Sequence, residues 1–526
     1  MLRTDLIASV PALIQRHANE RGSKLAFQDA TNKVTYGELA SRTANLAGHL
    51  ADLGVNAGDT VAIFLPNGVN WVESCFAITR ADAIGVPISY DATESEIAYR
   101  LQDAACKVII TTDERASVLE TIKAKCPTVA TTILVERGAG RGAGLRYDSL
   151  VSVEPTSKPR DQLSIHAPAY IIYTSGTTGR AKGVLLSVHS MLWITASCWA
   201  PISLLSDQDH VLSPLPLFHS YALNLSVLGI LAAGASEYIM EKFSTSEALR
   251  LLESGTFTLF PGVPTMFHYL LETAKGNAGA GKTNLKGLRL AVSAGAIMPA
   301  TLNREFEAHF GIKLLDGYGI TETATMVTMN WPSGGRVLGS CGLPVPGLAV
   351  RILDAATGKD VPIGSEGELI VRGPNVMIGY HNKPEETAAA LRDGWYHTGD
   401  LARSDENGFL TITGRLKELI IRGGQNIAPA EIEEVVSVID GILDNAVVGI
   451  PHEHLGEIPA LFVVRRGGHD LGAQQILDHC RERLSSYKVP YSVHFVDEIP
   501  RTGSGKIIRF RLRDMLVKPA DEASPK

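Results

Sequence analysis

The run Tyr173-Thr174-Ser175-Gly176-Thr177-Thr178-Gly179-Arg180-Ala181-Lys182-Gly183 packs three glycines, four Ser/Thr hydroxyls and two cations into one short loop. Glycine lets the backbone approach a ligand closely, and a concavity of bare N–H groups and hydroxyls suits phosphate oxygens. Arg180 and Lys182 add positive charge. These residue types in this order describe a grip for a triphosphate; the plainer alternative is a Gly/Ser/Thr surface turn. A grip needs a rigid support, and the apolar run Ala169-Tyr170-Ile171-Ile172 that leads into it reads as a buried strand.

A second glycine-rich stretch, Gly276-Asn277-Ala278-Gly279-Ala280-Gly281-Lys282-Thr283, satisfies the formal spacing of a nucleotide-binding P-loop. That motif works where a strand feeds the loop and a helix leaves it, because the helix N-terminus faces the phosphates. Here the order is reversed. Met266 to Lys275 has helical spacing, and Leu288 to Val292 reads as a strand. The match therefore reads as a helix-to-strand connection without a ligand.

The elements that must position these groups alternate through the first two-thirds of the chain. Val61–Leu65, Ala83–Ile88 and Val108–Thr111 read as strands; Asn70–Asp82 and Ala116–Lys125 read as helices. This is the rhythm of a largely parallel sheet flanked by helices, interrupted by a Gly/Ala/Arg loop over 136–146. From Gly339 short alternating runs such as Val350–Leu353 and Gly367–Val371 lie between Gly/Pro turns and predict an antiparallel sheet or small barrel. After Gly414-Arg415 the pattern returns to mixed α and β and ends in a basic helical stretch, Lys506–Leu516. Leu2, Leu6, Val10, Leu13 and Ile14 predict one amphipathic helix at the N-terminus instead of a secretory leader.

At 526 residues the chain exceeds one ordinary domain, and 45% hydrophobic with 20% charged residues describes a globular protein with large cores. A net charge of -7 supplies no basic field, which excludes nucleic acid as an expected partner. Six scattered cysteines without a close pair fit a reducing compartment and oppose a disulfide framework or zinc cluster. The most apolar segment, Tyr221–Ala235, is shorter than a bilayer requires and contains Asn224 and Ser226, so it reads as a core helix. A cytoplasmic protein with no integral membrane segment is expected.

Four further motifs follow the phosphate-type loop: Tyr318-Gly319-Ile320-Thr321-Glu322, Tyr396-His397-Thr398-Gly399-Asp400, Gly414-Arg415-Leu416-Lys417-Glu418, and Pro500-Arg501-Thr502-Gly503-Ser504-Gly505-Lys506. In this order they resemble the signatures of the acyl-adenylate-forming enzymes, in particular the branch of acid–CoA ligases. The resemblance covers essentially the whole chain. It implies an α/β fold with a large N-terminal domain, 1–415, made of two βαβ-type subdomains plus a small distorted β-barrel. A hinge at 416–418, with Lys417 as the pivot, and a small mobile α+β domain, 419–526, would complete it.

It also implies ATP, Mg²⁺ and coenzyme A. Thr174, Ser175, Gly176, Thr177, Thr178, Gly179 and Lys182 would hold the β- and γ-phosphates. Asp316, Gly317 and Tyr318 would border adenine, with Tyr318 stacked on it, and Asp400 and Arg415 would take the ribose. Thr321 would contact the α-phosphate, and Glu322 with Thr174 would serve Mg²⁺. Lys506 would bridge carboxylate and α-phosphate during adenylation, and Gly424, in Arg422–Asn426, would lie beside the pantetheine tunnel. Each residue also has a bland reading: Tyr318 as packing, Glu322 at a helix start, Asp400 ending a turn, Arg415 as surface charge, Lys506 as one more cation of a basic helix.

Leu217–Ala222 matches the border of the acyl pocket, with His219 as gate or neighbour of the substrate carboxylate. Amino-acid-activating relatives usually carry an aspartate there, so His219 argues against an amino acid. The other candidate walls, Val263–Thr265, Ser293–Gly295, Gly319 and Ala324–Met326, are small or apolar and supply no cation for a second carboxylate. The expected substrate is an apolar monocarboxylate, fatty or aryl. The compact stretch 347–367 lacks the insertion typical of relatives that load a carrier protein, which favours coenzyme A over a carrier-protein thiol. Monomer and homodimer both remain open.

Overall fold

The computed structural model describes residues 2–138, 143–174, 181–276, 285–423, 425–469, 471–501 and 507–517. Two large sheets dominate. In the first, the strands Leu25–Gln28, Ser236–Ile239, His210–Ser213, Leu259–Gly262, Leu290–Ser293 and Lys313–Tyr318 run parallel side by side, with short antiparallel strands at both edges. In the second, Pro168–Thr174, Ile84–Pro87, Thr60–Phe64, Val108–Thr112 and Thr131–Val135 run parallel, and Lys182–Ser187 returns antiparallel against Pro168–Thr174. Their strands are near-continuous apolar runs, as Thr60–Phe64 and Val108–Thr112 show by being buried at every position.

The two sheets share one core. It runs from Val61 and Ile63 in one sheet through helices Val10–Arg21, Tyr36–Asp52 and Val69–Arg80 to Val211 and Leu259 in the other. Parallel strands direct all their following loops to one edge, so the loops after Ser213, Gly262, Ser293 and Tyr318 gather there.

A third unit follows. The small barrel expected after Gly339 takes the form of a five-stranded antiparallel sheet of Ala349–Leu353, Gly367–Arg372, Trp395–Ser404, Leu391–Arg392 and Leu410–Arg415, whose described pairings leave the ladder open. One strand of this stretch, Gly379–Tyr380, joins the eight-stranded sheet beside Lys182–Ser187 instead. Residues Leu416–Glu418 then form a single 3-10 turn. The smaller C-terminal part carries its own sheet, with Ile442–His452 and Gly456–Arg465 as its long hairpin, and a separate core around Ile420, Ile432, Val447 and Leu461. Arg466 of this part pairs with Glu272 of the larger one at 3.1 Å.

Two expectations change in detail. The N-terminal helix is broken into a 3-10 turn, Thr4–Leu6, and a helix, Val10–Arg21. Pro11 in the first turn of that helix fits a start at this point, since its missing N–H is not needed there. Tyr221–Ala235 is a buried helix as expected, but Leu223–Gly229 winds with π-helical pitch. Inside it Asn224 is fully buried and donates to the carbonyls of Met191 and Ala324, both at 2.9 Å, while accepting from Trp199 Nε1 at 2.7 Å.

The helix Pro264–Gly276 does precede the strand Leu290–Ser293, as the reversed order of the false P-loop requires; Asn277 to Thr283 lies outside the described residues. All six cysteines are free and buried. Burial pushes the thiols of Cys75, Cys106 and Cys341 up to about 12 and that of Cys480 to about 11. No helix among the described residues is long and apolar enough to cross a membrane.

Glu237 sits mid-sheet opposite Phe27 and Val211, fully buried, and neither carboxylate oxygen makes a hydrogen bond of ordinary geometry. Burial raises its carboxyl well above the ordinary 4.5, so the folded state keeps the proton that the unfolded chain releases. Its contribution is intact below 4.5 and is lost as pH rises toward the folded value. Between those limits stability should fall by about 1.4 kcal/mol per pH unit from this one group. Glu237→Gln should flatten that slope in calorimetric unfolding from pH 5 to 9; an unchanged slope would contradict the buried-acid reading.

Candidate active site

The site is built at the edge where the parallel strands of the nine-stranded sheet end. Strand Lys313–Tyr318 delivers Asp316, Gly317 and Tyr318 as its last three residues. An added Cβ on Gly317 would stand 2.3 Å from Met326 Cε, and one on Gly319 would stand 1.6 Å from the Thr325 carbonyl oxygen. Only glycine lets the loop fold back this tightly. The returning segment is strained: Ala324 and Thr325 have φ of 49° and 102°, which L side chains rarely adopt. Asn375, fully buried, holds it by donating to the carbonyls of Thr323 at 2.8 Å and Met326 at 3.0 Å.

Tyr318, Asp400 and Arg415 come together. Asp400 is only 2% exposed; Tyr318 Oη donates to its Oδ2 at 2.5 Å, and Arg415 Nε stands 2.8 Å from its Oδ1. Arg415 lies directly across the antiparallel ladder from Asp400, so register alone brings the pair together. Burial, then the Asp400 charge, pushes the Tyr318 phenol well above its ordinary value, so it remains a donor. The turn before Asp400 needs Gly399 at φ 69°, and Glu368 fixes it by accepting from the Gly399 N–H at 3.2 Å and bonding His397 Nδ1 at 3.0 Å.

Asp316 is buried, its Oδ1 has no partner, and burial raises its carboxyl well above the usual range. An orphaned buried oxygen of this kind is an open hydrogen-bonding position for a ligand.

Thr321 and Glu322 occupy a 3-10 turn right after Tyr318-Gly319-Ile320. The Thr321 hydroxyl lies 3.2 Å from that of Ser220, which ties the turn to the segment carrying His219. His219 is half-buried and caps the short helix Ser220–Ala222, its Nδ1 accepting from the Tyr221 N–H at 3.4 Å. Glu322 Oε1 accepts from Tyr380 Oη at 3.1 Å. Lys182 Nζ stands 4.9 Å from the centroid of the same Tyr380 ring. Thr174 ends its strand opposite Lys182 and donates from Oγ1 to the Lys182 carbonyl at 3.5 Å.

Ser175, Gly176, Thr177, Thr178, Gly179, Arg180, Gly424 and Lys506 lie outside the described residues. The candidate acyl walls gather at one edge: Val263, Ala294, Ala324 and Met326 are buried, and Tyr221 donates to the Val292 carbonyl at 3.2 Å while stacking on Trp199. Sequence reasoning reached Ser220 only as part of the Leu217–Ala222 segment, without its bond to Thr321, and missed Asn375 and Tyr380. Asn375 and Tyr380 sit between Pro/Gly turns, where a sequence pattern signals only a loop.

Residues 14–381 match the model of the AMP-binding enzymes and residues 431–506 that of the AMP-binding enzyme C-terminal domain. The chain belongs to the AMP-binding enzyme family. It is 35% identical over 499 residues to feruloyl-CoA synthase of Amycolatopsis sp, spanning 95% of this chain and 97% of that one. With the long-chain-fatty-acid–CoA ligase of Yersinia pestis it shares 34% identity over 544 residues, 98% of this chain and 95% of the other. Among solved structures, ATP-bound MatB from Rhodopseudomonas palustris superposes with a TM-score of 0.87 at 32% identity, over 96% of this chain and 98% of that one.

Asn375→Ala would leave two buried carbonyls without a donor and release a strained turn. It should lower unfolding free energy by about 2 kcal/mol or more and cut adenylation while the sheets persist. Denaturant titration beside an ATP–pyrophosphate exchange assay checks both; wild-type exchange in this variant would show that the strained turn does not serve the site.

Proposed function

We infer that the chain is an ATP-dependent acid–CoA ligase of the AMP-forming kind. The observation that carries this reading is the convergence of Tyr318 and Arg415 on the buried Asp400 carboxylate, with Thr321 and Glu322 on the next turn. Paired carboxylate oxygens suit the two hydroxyls of a ribose, and the orphaned oxygen of Asp316 suits an adenine edge. Relatives that are CoA ligases over nearly their whole length support the choice of acceptor.

A carboxylate attacks the α-phosphorus of ATP and pyrophosphate leaves, giving an acyl-AMP. The sulfur of coenzyme A then attacks the acyl carbonyl and AMP leaves. Both partners of the first step are anions, so the protein must supply position and positive charge. Lys182 and the hydroxyl-rich loop from Thr174 hold the β- and γ-phosphates, Thr321 holds the α-phosphate, and Asp400 with Arg415 fixes the ribose. The Glu322 carboxylate and Thr174 hydroxyl are hard oxygen donors, which fits Mg²⁺, an ion that takes most of its ligands from water and phosphate. When bound, it neutralises phosphate charge. His219 borders the substrate carboxyl. An apolar edge without a cation in the described walls favours a monocarboxylate, fatty or aryl.

Lys506 supplies charge in the first half-reaction only, and the C-terminal part swings about Lys417 to bring Gly424 toward the thiol. Two features support this division at 416–418. Lys417 is exposed, while its neighbour Glu418 is fastened to the C-terminal part by Arg509 at 3.0 Å. The protein acts in the cytoplasm as monomer or homodimer.

Pyrophosphate and AMP should appear when ATP, coenzyme A and a panel of fatty and aromatic acids are supplied, with ¹⁸O from the acid recovered in AMP. Formation of ADP would overturn the reaction class. Acyl transfer to a carrier protein but not to free coenzyme A, read by mass spectrometry, would overturn the acceptor. Lys506→Ala should abolish adenylation yet retain thioester formation from supplied acyl-AMP; equal loss of both would refute its role.

A further inference from the structure

The phosphate-side cation and the metal-side carboxylate of this site meet one side chain that no motif singles out. Lys182 Nζ lies 4.9 Å from the centroid of the Tyr380 ring, and Glu322 Oε1 accepts from the hydroxyl of that ring at 3.1 Å. Lys182 and Glu322 form no ion pair with one another, each meeting Tyr380 instead. Opposite charges near one surface attract, so their separation needs a cause. A direct pair would quench both the phosphate cation and the metal ligand.

The backbone holds Tyr380 between the two groups. The strand Gly379–Tyr380 pairs antiparallel with the strand that begins at Lys182, with Tyr380 opposite Val184. On the same side His381 N–H donates to the Gly183 carbonyl at 2.7 Å and Ile378 N–H to the Leu185 carbonyl at 3.0 Å. On the other side Met377 N–H donates to the Glu322 carbonyl at 2.8 Å. Thr387 Oγ1 accepts from the Tyr380 N–H at 2.9 Å. Burial, and then the Glu322 charge, raises the Tyr380 phenol above its ordinary value, so it stays a neutral donor.

We propose that Tyr380 is a positioning residue of the nucleotide site: its ring face holds Lys182 and its hydroxyl orients Glu322, so that cation and carboxylate stay apart and free to engage MgATP. The proposal rests on the reading of Lys182 and Glu322 given above. It makes two separable demands. The hydroxyl should matter for the metal, and the ring should matter for the nucleotide even without metal.

The test is calorimetric binding of α,β-methylene-ATP to the resting full-length enzyme, with and without Mg²⁺, alongside steady-state kinetics. Tyr380→Phe keeps the ring. It should raise the Mg²⁺ concentration for half-saturation about tenfold, leave the KM for the acid unchanged and keep Mg²⁺-free nucleotide affinity near wild type. Tyr380→Leu removes the spacer and should weaken Mg²⁺-free nucleotide binding about tenfold as Lys182 collapses onto Glu322. Adding Glu322→Gln to Tyr380→Leu should restore that Mg²⁺-free affinity, which a merely structural defect would not allow. Unchanged Mg²⁺ demand in Tyr380→Phe, or no restoration in the double variant, overturns the proposal. If Lys182→Ala alone leaves nucleotide binding unchanged, the fault lies with the reading of Lys182 itself.

Discussion

A single buried carboxylate organises this molecule. Taking an ionised aspartate out of water is expensive unless hydrogen bonds and a counter-charge replace its hydration. Asp400 receives both, from Tyr318 at the end of a parallel strand and from Arg415 across an antiparallel ladder. The donors come from two different sheets, so Tyr318 reaches the carboxylate when the third unit is docked on the first. Arg415 is also the last residue before the turn that leads into the C-terminal part. The same contact therefore closes the edge at the end of strand Lys313–Tyr318 and fixes the point from which the smaller part departs.

The third unit contributes more than one strand face. Its segment from Asn375 to His381 reaches back over the other sheets, with Asn375 pinning the strained turn after Glu322 and Gly379–Tyr380 extending the sheet that carries Lys182. Close backbone approach makes this possible. Gly317 and Gly319 stand where any side chain would collide with Met326 or the Thr325 carbonyl. Three units thus meet at this edge: the nine-stranded sheet brings Asp316, Tyr318 and Glu322, the eight-stranded sheet brings Lys182, and the third unit brings Asp400, Arg415 and the segment from Asn375 to His381.

Much of this was readable from residue order. Strands such as Thr60–Phe64 and Val108–Thr112 are buried on both faces, so they announce themselves as unbroken apolar runs. Tyr318, Thr321, Glu322, Asp400 and Arg415 lie in the motifs that carry the family resemblance, and the structure gathers them at one edge. What was not readable depends on register and distance. Tyr380 is a lone aromatic in a short loop-like segment, and only the pairing of Gly379–Tyr380 with a distant strand puts it against Lys182. The π-helical winding around Asn224 depends on three partners far away in sequence, which helical periodicity cannot reveal. The break before Val10 was marked by Pro11, yet the apolar spacing of Leu6, Val10, Leu13 and Ile14 ran straight across it.

The six sequestered cysteines have a chemical consequence. A mixed anhydride will acylate any sulfur nucleophile within reach, and the reactive form of sulfur is the thiolate. Cys75, Cys106 and Cys341 give up their protons only near 12 and, like the other three, lie out of solvent, so the polypeptide offers its own activated intermediate no competing thiolate. The same sequestration leaves such a catalyst indifferent to alkylating reagents and mild oxidants that silence enzymes with exposed sulfhydryls.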